Sequence, residues 1–93
     1  MKETKLFYLE LCPYCVKAKK ALAELTEERP AYAELPIRWI EESRETALAE
    51  SYDYYYVPTV YWGEEKLYEA SPSQDYASIK ESLRSALDRI LAG

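Results

Sequence analysis

Apolar positions along this chain follow two spacings, short uninterrupted runs and longer helical stripes, which predict strands and helices respectively. Leu6–Leu9 is an apolar run that suits a buried strand and is too short for a helix. The next stripe keeps helical spacing through Cys15, Ala18, Leu22 and Leu25. Because Pro13 precedes this stripe, we predict a helix with Cys12 as its N-cap and Pro13 at its first position.

The middle of the chain predicts a compact turn, a second strand and a short helix. Pro30 and Pro36 bracket a segment that suits a helical turn or a loop. Ile37–Ile40 contains three large apolar residues and predicts the second strand. Ser43 is a suitable cap for a short helix that runs to about Ser51.

The next segment predicts a hairpin. Val57–Trp62 suits a strand that opens with Pro58. Residues 63–65, which begin with glycine, predict a turn into a further strand over Lys66–Glu69.

A long apolar stripe predicts the last helix. Ser71 and Gln74 fit a capping box, with Pro72 at the first helical position between them. The stripe keeps helical spacing through Tyr76, Ile79, Leu83, Ala86, Leu87 and Ile90. Gly93 then suits the end of the helix.

The predicted order is therefore β-α-β-α-β-β-α within a single domain that covers residues 1–93. A strand-helix-strand start favours a parallel pair of strands, whereas a hairpin is antiparallel. We expect an α/β protein with a four-stranded mixed sheet and helices on both of its faces.

Residue counts narrow the chemistry that this domain can perform. The chain has two cysteines and no histidine. It cannot use Ser-His-Asp or Cys-His catalysis, and it cannot ligate a metal through histidine. Two sulfurs are also too few for a four-thiolate zinc site within one chain. We therefore expect no metal and no bound cofactor.

Charge and hydropathy limit the partners. The net charge is −5 and no basic stripe is present, which argues against nucleic acid or an anionic membrane as a partner. The first apolar run is too short for a secretory signal, and no run approaches the ~20 residues of a membrane span. We expect a cytoplasmic monomer, and in that compartment two nearby cysteines suit catalysis or metal binding better than a structural disulfide.

The two cysteines are separated by two residues at the predicted start of a helix. Cys12 would lie beside unpaired N–H groups at the positive end of the helix dipole, and both favour a thiolate. Cys15 would begin the buried stripe, where a thiolate is disfavoured. This asymmetry predicts that Cys12 attacks a disulfide and that Cys15 resolves the mixed disulfide. Two alternative interpretations of the cysteine pair remain. The pair could form half of a metal site, or the two cysteines could be incidental thiols of the core.

Cys12-Pro13-Tyr14-Cys15 resembles the active site of dithiol glutaredoxins, which belong to the thioredoxin-like superfamily. The resemblance covers nearly the whole chain, because the order of elements matches and Val57-Pro58 stands where the superfamily has its cis-proline loop. It implies that Pro58 is cis and faces the cysteines. It also implies that the Val57 backbone can pair with a substrate peptide or glutathione, and that Tyr14 lines the mouth of the groove.

The chain departs from the glutaredoxin pattern at several positions. Leu9 stands where glutaredoxins commonly have a lysine that meets a carboxylate of glutathione. Tyr56 replaces the usual threonine before Val-Pro, and residues 68–69 replace a Gly-Gly pair. Ser73 and Gln74 still offer polar groups for substrate binding near the predicted last helix.

Four tyrosines stand just before the proline loop: Tyr52, Tyr54, Tyr55 and Tyr56. We expect alternate rings to pack in the core and the others to cover the surface. An aromatic rim that contacts the substrate is the functional alternative.

The predicted function is that of a thiol–disulfide oxidoreductase acting on protein or glutathione mixed disulfides. Glutathione is a possible co-substrate, and either glutathione or a reductase is the expected electron donor. One alternative is a redoxin that depends on thioredoxin reductase and not on glutathione. The other is a non-catalytic dimer in which Cys12 and Cys15 share an iron–sulfur cluster.

Overall fold

Four strands form one mixed sheet at the centre of the computed structural model, which describes residues 2–93. The strands are β1 (Thr4–Tyr8), β2 (Ile37–Glu41), β3 (Thr59–Trp62) and β4 (Glu65–Glu69). Their order in the sheet is β2-β1-β3-β4. β1 pairs in parallel with β2 and antiparallel with β3, and β3 pairs antiparallel with β4. The predicted mixed four-stranded sheet is confirmed.

Helices lie on both faces of this sheet because residues that alternate along β1 point to opposite sides. The helices are α1 (Pro13–Glu28), α2 (Pro30–Ala33), α3 (Thr46–Glu50) and α4 (Tyr76–Ala92). Leu6 packs in the larger core cluster with buried residues of α1 and α4. Phe7 packs in a second cluster that includes Ala49 of α3. The short α2, which begins at Pro30 and ends before Pro36, is the helical turn that the sequence allowed.

The helix α1 begins where its sequence predicts. Cys12 has extended backbone angles at the N-cap, and Pro13 follows at the first helical position. The buried face of the helix includes Cys15, Ala18, Leu22 and Leu25. These side chains cover one face of the sheet, so the orientation of the helix follows from its apolar stripe.

The predicted cap of the third helix is wrong. α3 begins at Thr46 with Glu45 at its N-cap, so Ser43 is not the cap. Ser43 instead donates from its N–H and its hydroxyl to Glu41 Oε1, at 2.7 and 2.6 Å. Glu41 is buried at the end of β2, and its carboxylate competes for the Ser43 side chain, which a cap would instead use to accept from a helix N–H group. A capping pattern read locally cannot detect that competitor.

The predicted start of the last helix is also wrong. α4 begins at Tyr76, and Asp75 is its N-cap, with a side chain that accepts from Ser78 N–H at 2.8 Å. Ser71 and Gln74 therefore lie in a loop before the helix. The amide of Gln74 is turned toward Tyr68, Ser78 and Ser82 and does not complete a capping box.

None of the helices within residues 2–93 is both long enough and apolar enough to cross a membrane.

Replacing the observed cap should destabilise the protein more than replacing the cap that the sequence suggested. Asp75→Ala removes the acceptor of Ser78 N–H, and we expect the free energy of unfolding to fall by about 1 kcal/mol. Urea denaturation measures the change, with Ser71→Ala as the matched control that should cost less than ~0.5 kcal/mol. An equal or greater loss in Ser71→Ala would show that the cap assignment is incorrect.

Candidate active site

Both cysteines lie where β1 leads into α1, and the backbone of Leu9 contacts each of them. The N–H of Cys12 donates to Leu9 O at 3.2 Å. The N–H of Leu9 donates to Cys15 Sγ at 3.4 Å. Both cysteines are free thiols in this structure. The strand end therefore places two sulfurs at the first turn of one helix.

Cys12 faces the loop before β3. Its Sγ donates to the carbonyl of Val57 at 3.7 Å, across 45 positions of sequence. The Val57–Pro58 peptide bond is cis, which confirms the expectation drawn from the resemblance. Thr59 Oγ1 donates to Tyr56 O at 2.5 Å and attaches the start of β3 to the same loop. The loop thus brings a backbone carbonyl to the partly exposed sulfur.

Cys15 is buried and its sulfur is far less acidic than an ordinary thiol. Only 1% of the residue is exposed. Burial raises the pKa of Cys15 to about 12, and the N–H of Leu9 opposes this shift while nearby Cys12 adds to it. The two sulfurs therefore differ in exposure as the helical stripe predicted, with Cys15 held as a neutral thiol.

The predicted binding residues Tyr14, Ser73 and Gln74 lie close together, but they bind each other or neighbouring residues. The N–H of Ser73 donates to Tyr14 Oη at 3.0 Å. Ser73 has a φ of 73°, so the loop turns sharply at this point. Gln74 Oε1 accepts from Tyr68 Oη at 2.7 Å. This loop is thus attached to the cysteine motif through the Tyr14 hydroxyl.

The four tyrosines before the proline loop divide into two pairs. Tyr52 and Tyr54 pack against Phe7 in the second core cluster, with ring centroids 4.9 and 5.1 Å from it. Tyr55 and Tyr56 are 87% and 51% exposed. Tyr52 and Tyr54 therefore belong to the core, and the exposed pair of Tyr55 and Tyr56 immediately precedes Val57.

An open cavity of about 540 Å³ adjoins Cys12. It is lined by Leu9, Glu10, Leu11, Cys12, Glu41, Ser43 and Arg44. Leu11 is 94% exposed, so an apolar side chain stands free beside the sulfur. The hydrogen bond from the Ser43 side chain leads the interactions that hold the pKa of Glu41 below its usual range, so this carboxylate is ionised at neutral pH.

Glu69 lies near the site, and in the sequence it stands out only as a departure from glycine. Its Oε2 accepts from the N–H groups of Tyr55 and Tyr56 at 2.6 and 2.9 Å. Its Oε1 accepts from Lys66 Nζ at 2.8 Å. The only signal in the sequence was a carboxylate where the family has a small residue, and nothing there pointed to its donors.

This fold, with a C-x-x-C pair at the first turn of α1 and a cis-proline loop beside it, defines a thioredoxin-like protein with a thiol redox function. The model of the glutaredoxin family matches residues 4–67. The chain belongs to the glutaredoxin family.

Solved structures agree with this fold. The chain is similar to a mutant thioredoxin from Halobacterium salinarum NRC-1, with 23% identity and a TM-score of 0.56 over 90% of this chain and 73% of that one. It is also similar to a designed protein studied by backbone chemical-shift assignment, with 26% identity and a TM-score of 0.59 over 99% of this chain and 74% of that one. A search of curated proteins found no match.

Alkylation of the native, reduced protein should distinguish the two sulfurs. At pH 8, a thiol with a pKa of about 12 contains about a thousandfold less thiolate than one with the ordinary value of 9.0. We expect iodoacetamide to label Cys12 and to leave Cys15 unlabelled, as measured by peptide mass spectrometry. Labelling of Cys15 should increase as the pH is raised toward 12.

The denatured protein is the control, because unfolding exposes both thiols and should allow both to react. Equal labelling of the two cysteines in the native state would contradict the assigned difference.

Proposed function

We propose that this protein is a thiol–disulfide oxidoreductase in which Cys12 is the nucleophile and Cys15 is the resolving thiol. The observation that carries the proposal is the pairing of a partly exposed sulfur with a buried one a single helical turn away. Its exposure allows Cys12 to attack an external disulfide, whereas burial keeps Cys15 out of reach of that disulfide.

The reaction proceeds in two exchanges. The thiolate of Cys12 attacks one sulfur of the substrate disulfide, forms a mixed disulfide and expels the first substrate thiolate, which takes up a proton. Cys15 then loses its proton and attacks Cys12 Sγ, which expels the second substrate thiolate, and that thiolate takes up a proton in turn. The substrate gains two electrons, and the protein is left with a Cys12–Cys15 disulfide.

The mixed disulfide itself assists the second exchange. In the reduced protein, the pKa of Cys15 is raised first by burial and further by Cys12. Once Cys12 Sγ is bonded to the substrate it can no longer ionise, so the part of the raised Cys15 pKa that comes from Cys12 disappears. Cys15 therefore forms its thiolate more readily after the first exchange than before it.

The substrate groove lies between the cysteine motif and the loop that carries Val57 and Pro58. Pro13 and Tyr14 form the motif side of this groove, and exposed Tyr56 forms its rim. The Val57 carbonyl, which contacts Cys12 in the free protein, becomes available to an extended substrate when that sulfur reacts.

We propose disulfide-containing proteins or glutathione mixed disulfides as substrates for a cytoplasmic monomer. Either glutathione or a reductase would return the oxidised protein to the dithiol form. Membership of the glutaredoxin family supports glutathione as the electron donor. Leu9 and Glu69, which differ from the family pattern, favour the alternative in which thioredoxin reductase is the donor.

The iron–sulfur alternative fits the geometry poorly. A cluster shared by two copies of the chain needs both sulfurs at the surface, because it must contact the partner as well. Cys15 is 1% exposed and accepts a hydrogen bond from the Leu9 backbone. With Cys15 buried, the chain does not present two exposed thiolates to such a cluster.

Serine substitutions should separate the two roles. Cys12→Ser should abolish reduction of a disulfide such as insulin, because the attacking sulfur is lost. Cys15→Ser should accumulate the mixed disulfide, which non-reducing electrophoresis and mass spectrometry detect. The assignment of roles would be overturned by full dithiol activity in Cys12→Ser.

Coupled assays should identify the electron donor. Oxidised protein is offered glutathione with glutathione reductase, or thioredoxin reductase, with NADPH consumption followed in both cases. We expect the rate of NADPH consumption with one system to exceed that with the other by about tenfold or more, because the two donors require different contacts with the protein. Failure of both systems to reduce the protein would contradict both donors.

A further inference from the structure

The carboxylate of Glu69 occupies a complete anion-binding site within its own chain. This carboxylate site consists of the N–H groups of Tyr55 and Tyr56 and the Nζ of Lys66. Successive backbone N–H groups that point at one oxygen are a common way for proteins to bind an anion, and the ammonium adds a charge-assisted bond. The donors are the ones that an external carboxylate would need.

The electrostatics agree with an ionised occupant. Burial by itself would raise the pKa of Glu69, yet the bonds from Lys66, Tyr55 and Tyr56 hold that pKa below its usual range. The Lys66 ammonium also donates to the carbonyl of Asp53 at 3.2 Å. Glu69 therefore remains negatively charged at neutral pH and balances Lys66, while the Asp53 side chain adds a further negative charge nearby.

Three consecutive residues of one loop, Tyr55 to Val57, connect the carboxylate site with the reactive sulfur. Tyr56 directly precedes Val57, whose carbonyl contacts Cys12 Sγ at 3.7 Å. From Tyr55 N to Val57 O the chain spans three residues, at most roughly 10 Å. Glutathione has its cysteine between two residues that each end in a carboxylate, so its charges lie at a comparable reach from the reacting sulfur.

We propose that Glu69 is a positioning and specificity-determining residue that disfavours disulfides with a carboxylate close to the sulfur. Glu69 holds the loop of Val57 in place. Its carboxylate also occupies the hydrogen-bond donors that a substrate carboxylate would otherwise use. Among the substrates proposed above, glutathione disulfide is thereby disfavoured relative to disulfides flanked by uncharged or basic groups. This inference rests on the proposed oxidoreductase function and specifies its substrate class.

Glu69→Gln tests the charge while keeping the loop. A single oxygen of Glu69 accepts both backbone bonds, so the amide oxygen of glutamine can replace it. The substitution leaves Lys66 as an unbalanced cation beside the site. The expected effect depends on the charge of the substrate, which a purely structural role would not produce.

The experiment follows single-turnover oxidation of the fully reduced protein by three disulfides at low ionic strength. Glutathione disulfide is anionic, hydroxyethyl disulfide is uncharged and cystamine is cationic. In Glu69→Gln we expect the rate constant for glutathione disulfide to rise roughly three- to tenfold and that for cystamine to fall by a similar factor. The rate constant for hydroxyethyl disulfide should change by less than about twofold. Added salt should reduce the changes for glutathione disulfide and cystamine.

Glu27→Gln is the matched control, because Glu27 is exposed near the end of α1 and the substitution removes the same charge. It should leave all three rate constants within about twofold of the parent values. Equal changes for all three disulfides in Glu69→Gln, or equal effects of the two substitutions, would overturn the proposal.

Glu69→Ala tests the carboxylate site independently of any redox activity. Removal of the side chain vacates the donors of Tyr55, Tyr56 and Lys66, so added formate should bind there and raise the melting temperature in a saturable manner. Formate added to the parent protein should cause no saturable rise in the melting temperature. Chloride added to Glu69→Ala at equal ionic strength should cause none either. Absence of saturation in Glu69→Ala would contradict the site.

The outcomes separate this inference from the proposed function. A parent protein that reduces none of the three disulfides would contradict the oxidoreductase function, while saturable formate binding to Glu69→Ala would still support the carboxylate site. A parent protein that is active on all three, with Glu69→Gln showing no dependence on substrate charge, would contradict the specificity role alone.

Discussion

The backbone of Leu9 attaches both cysteines to the end of β1, and the geometry of the site depends on that junction. Its carbonyl accepts from Cys12 N–H and its own N–H donates to Cys15 Sγ. Neither bond uses the Leu9 side chain, so any residue with a backbone N–H can hold the Cys12 backbone and the Cys15 sulfur in this way. The junction therefore survives the replacement of the family's lysine by leucine. What changes is the charge presented to a substrate, and not the placement of the thiols.

Local patterns predicted the elements whose ends depend on neighbouring residues. The start of α1 needs only a proline, an N-cap and an apolar stripe, which stand together in the sequence. The start of α4 could not be predicted in that way, because the loop before it is held by long-range bonds. Tyr14 contacts Ser73 across 59 positions, and Gln74 is bound by Tyr68 from the preceding strand. Such contacts override a capping box that is read from four residues alone.

The same distinction applies to the candidate site. Cys12 and Cys15 could be found from their spacing, and Pro58 from its resemblance to the cis-proline of the superfamily. The contact between Cys12 and Val57 follows once β3 pairs beside β1. Glu69 could not be found, because its two backbone donors belong to a loop 13 to 14 residues earlier that has no regular structure. A carboxylate on a strand reads as an ordinary surface charge until the fold brings that loop to it.

The bond between Tyr14 and Ser73 makes two distant segments a single unit for the purposes of protein engineering. Ser73 turns the chain through a left-handed conformation, and its N–H has the Tyr14 hydroxyl as its acceptor. A dipeptide that lacks tyrosine at position 14 would therefore remove a support of the loop that leads into α4. The motif cannot be exchanged as an independent module. Transplanting another redoxin's intervening residues into this chain requires the loop before α4 to be redesigned with them.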